Sequence, residues 1–134
     1  MPRQAPACQI ETFARKPGEV PAARRFVRAV LGEHPAAHDA ELLCSELVTN
    51  FLQHTADATK VTVAVTVSGA VVHVEVTGDG IAGLPHWRDA DPGGYVEGGR
   101  GFWLLNGIAT RWGFVRERVP ATSLCWFELP GEAA

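Results

Sequence analysis

Helical periodicity dominates the first half of the chain. Between residues 20 and 31, apolar residues recur every three or four positions, which predicts an amphipathic helix. An apolar stripe of the same spacing predicts a second helix over residues 35–55; its members are Ala40, Leu43, Cys44, Leu47, Val48 and Phe51. Weak alternation over residues 8–13 favours a strand before the first helix. The predicted order in this half is strand, helix, helix.

The hydrophobic period changes to two after residue 60. Valines alternate with small or polar residues over 60–68 and again over 72–77, and Ser68-Gly69 separates the two runs. Two alternating runs joined by a short turn predict an antiparallel hairpin. His73 falls on the polar side of the second run, so we expect it to be exposed rather than to act as a ligand.

Glycines interrupt the pattern directly after the hairpin. Gly78, Gly80 and Gly83 stand close together, and glycines let a ligand approach the backbone closely. The segment 86–99 has neither helical nor strand periodicity. An unpatterned segment of this length in a small domain is typical of a lid or a binding loop.

A third helical pattern follows Gly99-Arg100-Gly101. Its apolar members are Phe102, Leu105, Ala109 and Trp112. Gly113 is expected to end this helix, and residues 113–118 and 122–129 are predicted to form two closing strands. Glycines at a helix entrance leave its free N–H groups open to an anion, although they are also common in plain turns.

The order of elements predicts an α+β fold, because adjacent strands and segregated helices favour two packed layers. We expect a two-layer α/β sandwich whose mixed, mostly antiparallel sheet is covered on one face by about three helices. The chain has 134 residues, so one domain over 1–134 is predicted. The ends, 1–7 and 131–134, are expected to be flexible.

Composition narrows the function classes. The net charge of −3 argues against binding along a phosphate backbone, so a nucleic acid is not an expected partner. Three scattered cysteines without a C-x-x-C pair fit a reducing compartment, where Cys44 and Cys125 would serve as small apolar residues. No apolar run is long enough to cross a membrane or to form a signal core. A cytoplasmic location is therefore expected.

Two polar residues border the apolar stripe of the second helix. Glu46 and Asn50 are one turn apart, so their side chains project from the same side. A carboxylate can position a nucleophile or take a proton, and an amide oxygen is a neutral ligand for a hard cation. By itself, such a pair is more often an ordinary polar edge of an amphipathic helix.

The first predicted helix carries three arginines on its outer side. Arg24, Arg25 and Arg28 have two interpretations. They can form a solvated face, which is the commoner case, or a docking surface for an acidic protein partner.

Three segments, taken in their order, resemble motifs of the GHKL (Bergerat-fold) ATPases, especially the anti-sigma-factor serine kinases and their small actinobacterial ATP-binding relatives. Residues 45–50, followed by His54, resemble the N box. Residues 74–85 resemble the G1 box, and 98–113 resemble the G2 box with its helix. The first helix and the last strand also resemble that family, so the resemblance covers nearly the whole chain.

The resemblance implies a site for ATP and Mg²⁺ between the helices and a lid over 86–99. Asn50 would hold Mg²⁺, and Glu46 would orient or deprotonate the attacking hydroxyl or water. The remaining residues implied to bind nucleotide are Asp79, Gly80, Gly83, Gly99, Arg100, Gly101 and Phe102. Such a site performs phosphoryl transfer by positioning and by charge neutralisation.

One position departs from the resemblance. Gly78 stands where the family's G1 box has an aspartate that accepts a hydrogen bond from the adenine amino group. Asp79 is one residue later, and the glycines around it would allow the loop to slip by one. Two hypotheses follow: an ATP-dependent serine/threonine protein kinase of the anti-sigma type, or a non-catalytic interaction module with weak or no nucleotide binding.

The resemblance also implies the kind of partner. A sigma factor, an anti-anti-sigma protein of the STAS type, or both are expected, and Arg24, Arg25 and Arg28 are the candidate contact surface. Relatives of this class commonly dimerise, so a homodimer is one expectation. A histidine sensor kinase is disfavoured because the chain lacks a dimerising histidine helix, and gyrase-like relatives are disfavoured because no second domain is present.

Overall fold

The computed structural model describes residues 7–54, 59–79, 100–119 and 121–131. Its elements in chain order are β1 (Ala7–Ala14), α1 (Glu19–Leu31), α2 (Ala37–His54), β2 (Lys60–Ser68), β3 (Val71–Gly78), α3 (Arg100–Ile108), β4 (Arg111–Arg118) and β5 (Ala121–Pro130). The described part of the chain is therefore an α+β fold with three helices and a five-stranded sheet. The alternating and helical patterns predicted every one of these elements, although not all of their boundaries.

The strands are arranged in the order β1-β2-β3-β5-β4, and each neighbouring pair is antiparallel. The β2–β3 hairpin confirms the prediction from alternating valines. A mixed sheet was expected, but the described sheet is purely antiparallel. The reason is topological: β3 and β4 run in the same direction, and β5 lies between them, so the two never pair.

One hydrophobic core lies between the helices and one face of the sheet. Alternate residues of β2, β3 and β5 point into it and are fully buried, whereas their neighbours on the other face are partly exposed. The apolar stripe of α2 fills the centre of this core, with Leu43, Leu47 and Phe51 among its largest buried side chains. Burial of this stripe places α2 between α1 and α3 and against β3.

The third helix is shorter than its pattern predicted. It ends at Ile108, where the Ala109 N–H donates to the Leu105 carbonyl and the Thr110 N–H donates to the Glu128 carbonyl of β5. Trp112 and Gly113 therefore belong to β4, and the prediction that Gly113 ends the helix was wrong. Pairing with β5 overrides the local helical spacing.

Gly113 has a different role, which is to leave room for the indole of Trp126 on the neighbouring strand. It lies opposite Trp126, and a Cβ at this position would be 2.5 Å from Trp126 Nε1. Real Cβ atoms essentially never approach another atom that closely, so a larger residue would require the indole to move.

His73 is half-buried, and the expectation of an exposed histidine was wrong. Its two ring nitrogens lie 2.9 Å from carboxylate oxygens of Glu75 and Glu128, and its ring stacks on Trp126 at 5.5 Å between centroids. Alternation correctly placed His73 on the outer face of the sheet. Glu75 lies two residues further along the same strand, whereas only the register of β3 with β5 brings Glu128 and Trp126 beside the ring.

Two of the cysteines serve as small apolar residues, as predicted. Cys44 and Cys125 are fully buried, and this burial raises the pKa of each thiol to about 12. Cys8 is exposed on β1.

None of the helices in the described part of the chain combines the length and the apolar character needed to cross a bilayer.

Candidate functional site

Helix α2 presents Glu46 and Asn50 on successive turns beside the core. Asn50 is only 5% exposed, whereas Glu46 is half-buried. Asp39 in the first turn favours the helix because a carboxylate complements the positive end of the helix dipole. The Thr49 hydroxyl, between the two candidate residues, donates to the Ser45 carbonyl at 2.8 Å and so stays within its own helix. A carboxamide and a carboxylate are thus held side by side at the edge of the apolar layer.

The next residue, Phe51, packs against the end of β3. Its ring is 2% exposed, and Gly78 lies beneath it on the buried face of the sheet, opposite Val61. A Cβ built at Gly78 would be 2.6 Å from Phe51 Cδ1 and 2.9 Å from Cε1. Both distances are shorter than real Cβ contacts, so no side chain fits at Gly78 while Phe51 keeps its place. The ring occupies the volume that an aspartate at this position would need.

The Asp79 carboxylate is turned toward the beginning of β2. The pairing of β3 with β2 and with β5 is regular through Gly78, so the strand itself contains no slip by one residue. The Asp79 carboxylate instead accepts hydrogen bonds from the Thr59 N–H at 2.7 Å, from the Lys60 N–H at 3.2 Å and from the Thr59 hydroxyl. It anchors the beginning of β2.

These hydrogen bonds change the acidity of Asp79. Its limited burial raises the pKa of the carboxyl, but the donors from Thr59 and Lys60 together outweigh that effect and lower the pKa below its usual value. The carboxylate form is therefore favoured by two donors of Thr59, directly before β2, and one of Lys60, its first residue. The role of Asp79 in nucleotide binding stays a prediction.

The other implied base-binding and phosphate-binding residues are only partly described. Gly80, Gly83, Gly99 and the predicted lid lie outside the described residues. Arg100, Gly101 and Phe102 form the first turn of α3, for which the structure describes the backbone. The start of a helix offers free N–H groups to an anion, so the phosphate-binding prediction for this turn remains open.

Arg15 was not identified from the sequence. Its guanidinium donates to the Leu52 carbonyl at 2.7 Å, and its backbone N–H donates to the Thr59 carbonyl at 3.1 Å. A cation at the C-terminal end of a helix satisfies a free carbonyl and complements the dipole. Arg15 thus fixes the end of α2 just beyond Asn50 and Phe51. No local pattern could have predicted this contact, because Arg15 follows β1.

The three arginines of α1 do not form one uniform surface. Arg24 and Arg25 are exposed. Arg28 makes a two-pronged ion pair with Glu41 of α2, with Nε–Oε2 and Nη2–Oε1 distances of 3.1 and 2.8 Å. The Glu41 side chain is 9% exposed, so this pair connects α1 to α2. The arginines available to a partner without breaking such a pair are Arg24 and Arg25.

The described residues contain no cluster of three or more histidine, cysteine, aspartate or glutamate side chains that could hold a metal ion. Mg²⁺ bound with a nucleotide needs few protein ligands, because phosphates and water complete its octahedron. The nearly buried amide of Asn50 is chemically suited to be such a ligand. A resident metal centre is a different kind of site, and this part of the chain does not provide one.

Comparison with known proteins gives no family assignment: no family model matches the chain, and no curated protein matches it either.

Proposed function

We propose that the protein is a regulatory interaction module on the Bergerat fold of the anti-sigma kinases, in which nucleotide binding is weak or lost. The observation that carries this proposal is the Phe51 ring against Gly78. The order of elements and the three resembling motifs support the fold. The packing of Phe51 supports the loss of one contact on which adenine recognition depends in that family.

The energetic consequence follows from the missing acceptor. A buried adenine amino group without a hydrogen-bond partner costs about 1–3 kcal/mol, which corresponds to roughly a tenfold to hundredfold loss of affinity. Asp79 cannot restore the contact from its present place, since three donors of Thr59 and Lys60 already surround its carboxylate. The Phe51 ring adds a steric obstacle to the loss of this hydrogen-bond acceptor.

With nucleotide binding weak or lost, the ligand that this proposal requires is a protein. Arg24 and Arg25 form an exposed basic pair on α1 and would contact acidic side chains. The resemblance favours a sigma factor or a STAS-type anti-anti-sigma protein in the cytoplasm. Binding that does not depend on Mg-ATP, and that a charge reversal at Arg24 and Arg25 weakens, would support this partner surface.

Calorimetric titration with Mg-ATP tests the proposal directly. The native protein is expected to show no saturable binding at millimolar nucleotide. The double variant Phe51→Ala/Gly78→Asp supplies both the space and the carboxylate, so we expect it to bind at least about tenfold more tightly. The single variant Phe51→Ala is the control, because it provides the space without the carboxylate. Saturable binding by the native protein, abolished by Asn50→Ala, would contradict the proposal.

A second candidate function is the ATP-dependent serine/threonine kinase, which would phosphorylate an antagonist protein on serine. The arrangement of Glu46 beside the nearly buried Asn50 favours it, because phosphoryl transfer needs a group to orient the nucleophile and a ligand for Mg²⁺. For this function, Glu46→Gln is expected to keep Mg-ATP binding while transfer of labelled phosphate to the antagonist stops. Unchanged transfer would exclude the role of Glu46.

A further inference from the structure

Strand β4 forms one edge of the sheet. Among the described residues, only β5 pairs with it, and this pairing is regular over all eight residues from Arg111 to Arg118. The strand contains no proline, and its register with β5 has no bulge. An edge of this kind presents a row of backbone N–H and C=O groups to which a further strand can bond. The free side of β4 is therefore a template for an extended segment.

The pairing inside the sheet shows which of these backbone groups point outward. The Gly131 N–H donates to the Ala70 carbonyl, which continues the register of β5 with β3, so the odd-numbered residues of β5 bond to β3. Successive residues of an antiparallel strand bond to opposite sides, so the even-numbered residues of β5 bond to odd-numbered residues of β4. The outward N–H and C=O groups of β4 include those of Trp112, Phe114 and Arg116.

Apolar side chains flank this free edge. Trp112 and Phe114 lie opposite buried residues of β5 and project to the side of the sheet that carries the helices, where both are only half-buried. Val115 on the other side is 48% exposed, and Val119, directly after the strand, is 90% exposed. Two of the three exposed large apolar side chains in the described part of the chain thus lie in β4 or at its end. An added strand would cover apolar surface while its backbone pairs with the edge.

The charge of the edge favours one kind of occupant. The sequence of β4 contains three arginines and one glutamate, so the strand is net positive in a chain whose net charge is −3. Arg116 projects on the same side as Trp112 and Phe114, is exposed, and forms no ion pair with any residue that the structure describes. Like charges oppose the pairing of β4 with a second copy of itself, whereas a carboxylate opposite an arginine stabilises a cross-strand pair.

We propose that the free edge of β4 binds an extended, acidic segment of a partner protein, which adds a further strand to the sheet. In the antiparallel arrangement of every other pair in this sheet, the segment would have the pattern acidic-x-apolar-x-apolar. The acidic residue would lie opposite Arg116, and the two apolar residues would lie opposite Phe114 and Trp112. This surface depends neither on the loss of nucleotide binding nor on the arginines of α1.

Hydrogen exchange of the backbone amides, followed by NMR, tests the outward groups. In the free protein, the amides of Trp112, Phe114 and Arg116 are expected to exchange faster than those of Gly113 and Val115, which bond to β5. Protection of the outward amides that increases with protein concentration would identify a second copy as the occupant and would overturn the proposal.

Titration with synthetic peptides tests the chemistry of the partner. The acidic probe is the capped peptide Thr-Glu-Thr-Val-Thr-Val-Thr, and the matched probe carries lysine in place of glutamate. We expect the acidic peptide to bind saturably and to slow exchange of the three outward amides. The lysine peptide should bind about three- to tenfold more weakly at low salt, because it replaces an exposed ion pair by a like-charge contact.

Charge reversal on the protein completes the test. The variant Arg116→Glu is expected to reverse the preference, so that the lysine peptide binds more tightly than the acidic one. Lys16→Glu makes the same change of charge at an exposed residue between β1 and α1 and should leave the preference unchanged. Reversal in Arg116→Glu alone would support the proposal. An unchanged preference in that variant, no binding at millimolar peptide, or binding without protection of the outward amides would overturn it.

Discussion

Two neighbouring residues at the end of α2, Asn50 and Phe51, differ in polarity and in the contacts that surround them. Asn50 is a polar group kept at 5% exposure beside a carboxylate one turn earlier, whereas Phe51 is an aromatic ring packed on a glycine of β3. The first arrangement places two polar groups at the edge of the core. The second is an apolar contact between α2 and the end of β3. The difference shows that a polar side chain can be held at the edge of the core directly beside an apolar contact between helix and sheet.

The two arrangements also differ in what stabilises them. Phe51 gains from burial, which is worth roughly 1.5–3 kcal/mol for a large apolar side chain. Asn50 gains little from burial, because a buried amide must recover the hydrogen bonds that it loses to water. Asn50 therefore contributes to stability through the hydrogen bonds that its amide recovers rather than through burial itself.

The largest expected effect comes from placing a carboxylate at Gly78. Gly78→Asp forces a side chain against the Phe51 ring, which costs about 1–3 kcal/mol, and adds the penalty of a poorly solvated charge. We expect urea unfolding to show a loss of about 4 kcal/mol or more. In the Phe51→Ala background, the additional loss should be much smaller, because the ring is gone.

The matched control for this experiment is Gly107→Asp in α3. A Cβ at Gly107 would meet no atom within 4 Å, and the residue is exposed. This variant should change stability by less than about 1 kcal/mol. Equal losses at both glycines would mean that the contact with Phe51 does not restrict Gly78.

An intermediate effect is expected at Asn50. Asn50→Ala removes a nearly buried amide and leaves its surroundings unsatisfied, so unfolding free energy should fall by about 1–3 kcal/mol. Thr49→Ala is the control, because the Thr49 hydroxyl is bonded within its own helix to Ser45 and its loss should matter less. Equal effects of the two substitutions would argue that Asn50 is only one more polar residue of the helix edge.

The smallest effect concerns Asp79, which lies beside Gly78 but is bonded to β2. Because folding lowers the pKa of Asp79, its contribution is fully present above the unfolded pKa of about 3.9 and is lost as pH falls through the folded pKa. Exposure to solvent limits it to under about 1 kcal/mol. Unfolding measured between pH 7 and pH 2 should be less pH-dependent for Asp79→Asn. An unchanged profile would mean that the bonds to Thr59 and Lys60 contribute nothing to stability.

Local pattern was sufficient to predict the elements of this fold. Alternating valines predicted β2, β3 and the hairpin between them, because a sheet with one buried face imposes a period of two. The apolar stripe of α2 predicted both the helix and the buried state of Phe51. The spacing of Glu46 and Asn50 by one turn predicted that both lie on one side of that helix.

Contacts between distant segments were decided by tertiary structure. Hydrophobic periodicity predicts which side of a helix or strand is buried, but it does not predict which residues of other elements contact that side. The contact of Phe51 with Gly78 depends on how α2 lies across β3, and the partners of His73 depend on the register of β5. The third helix ended early for the same kind of reason, since pairing with β5 outweighed a local helical spacing. Elements follow from nearby residues, whereas the shape and chemistry of the site follow from the packing of segments that the sequence keeps apart.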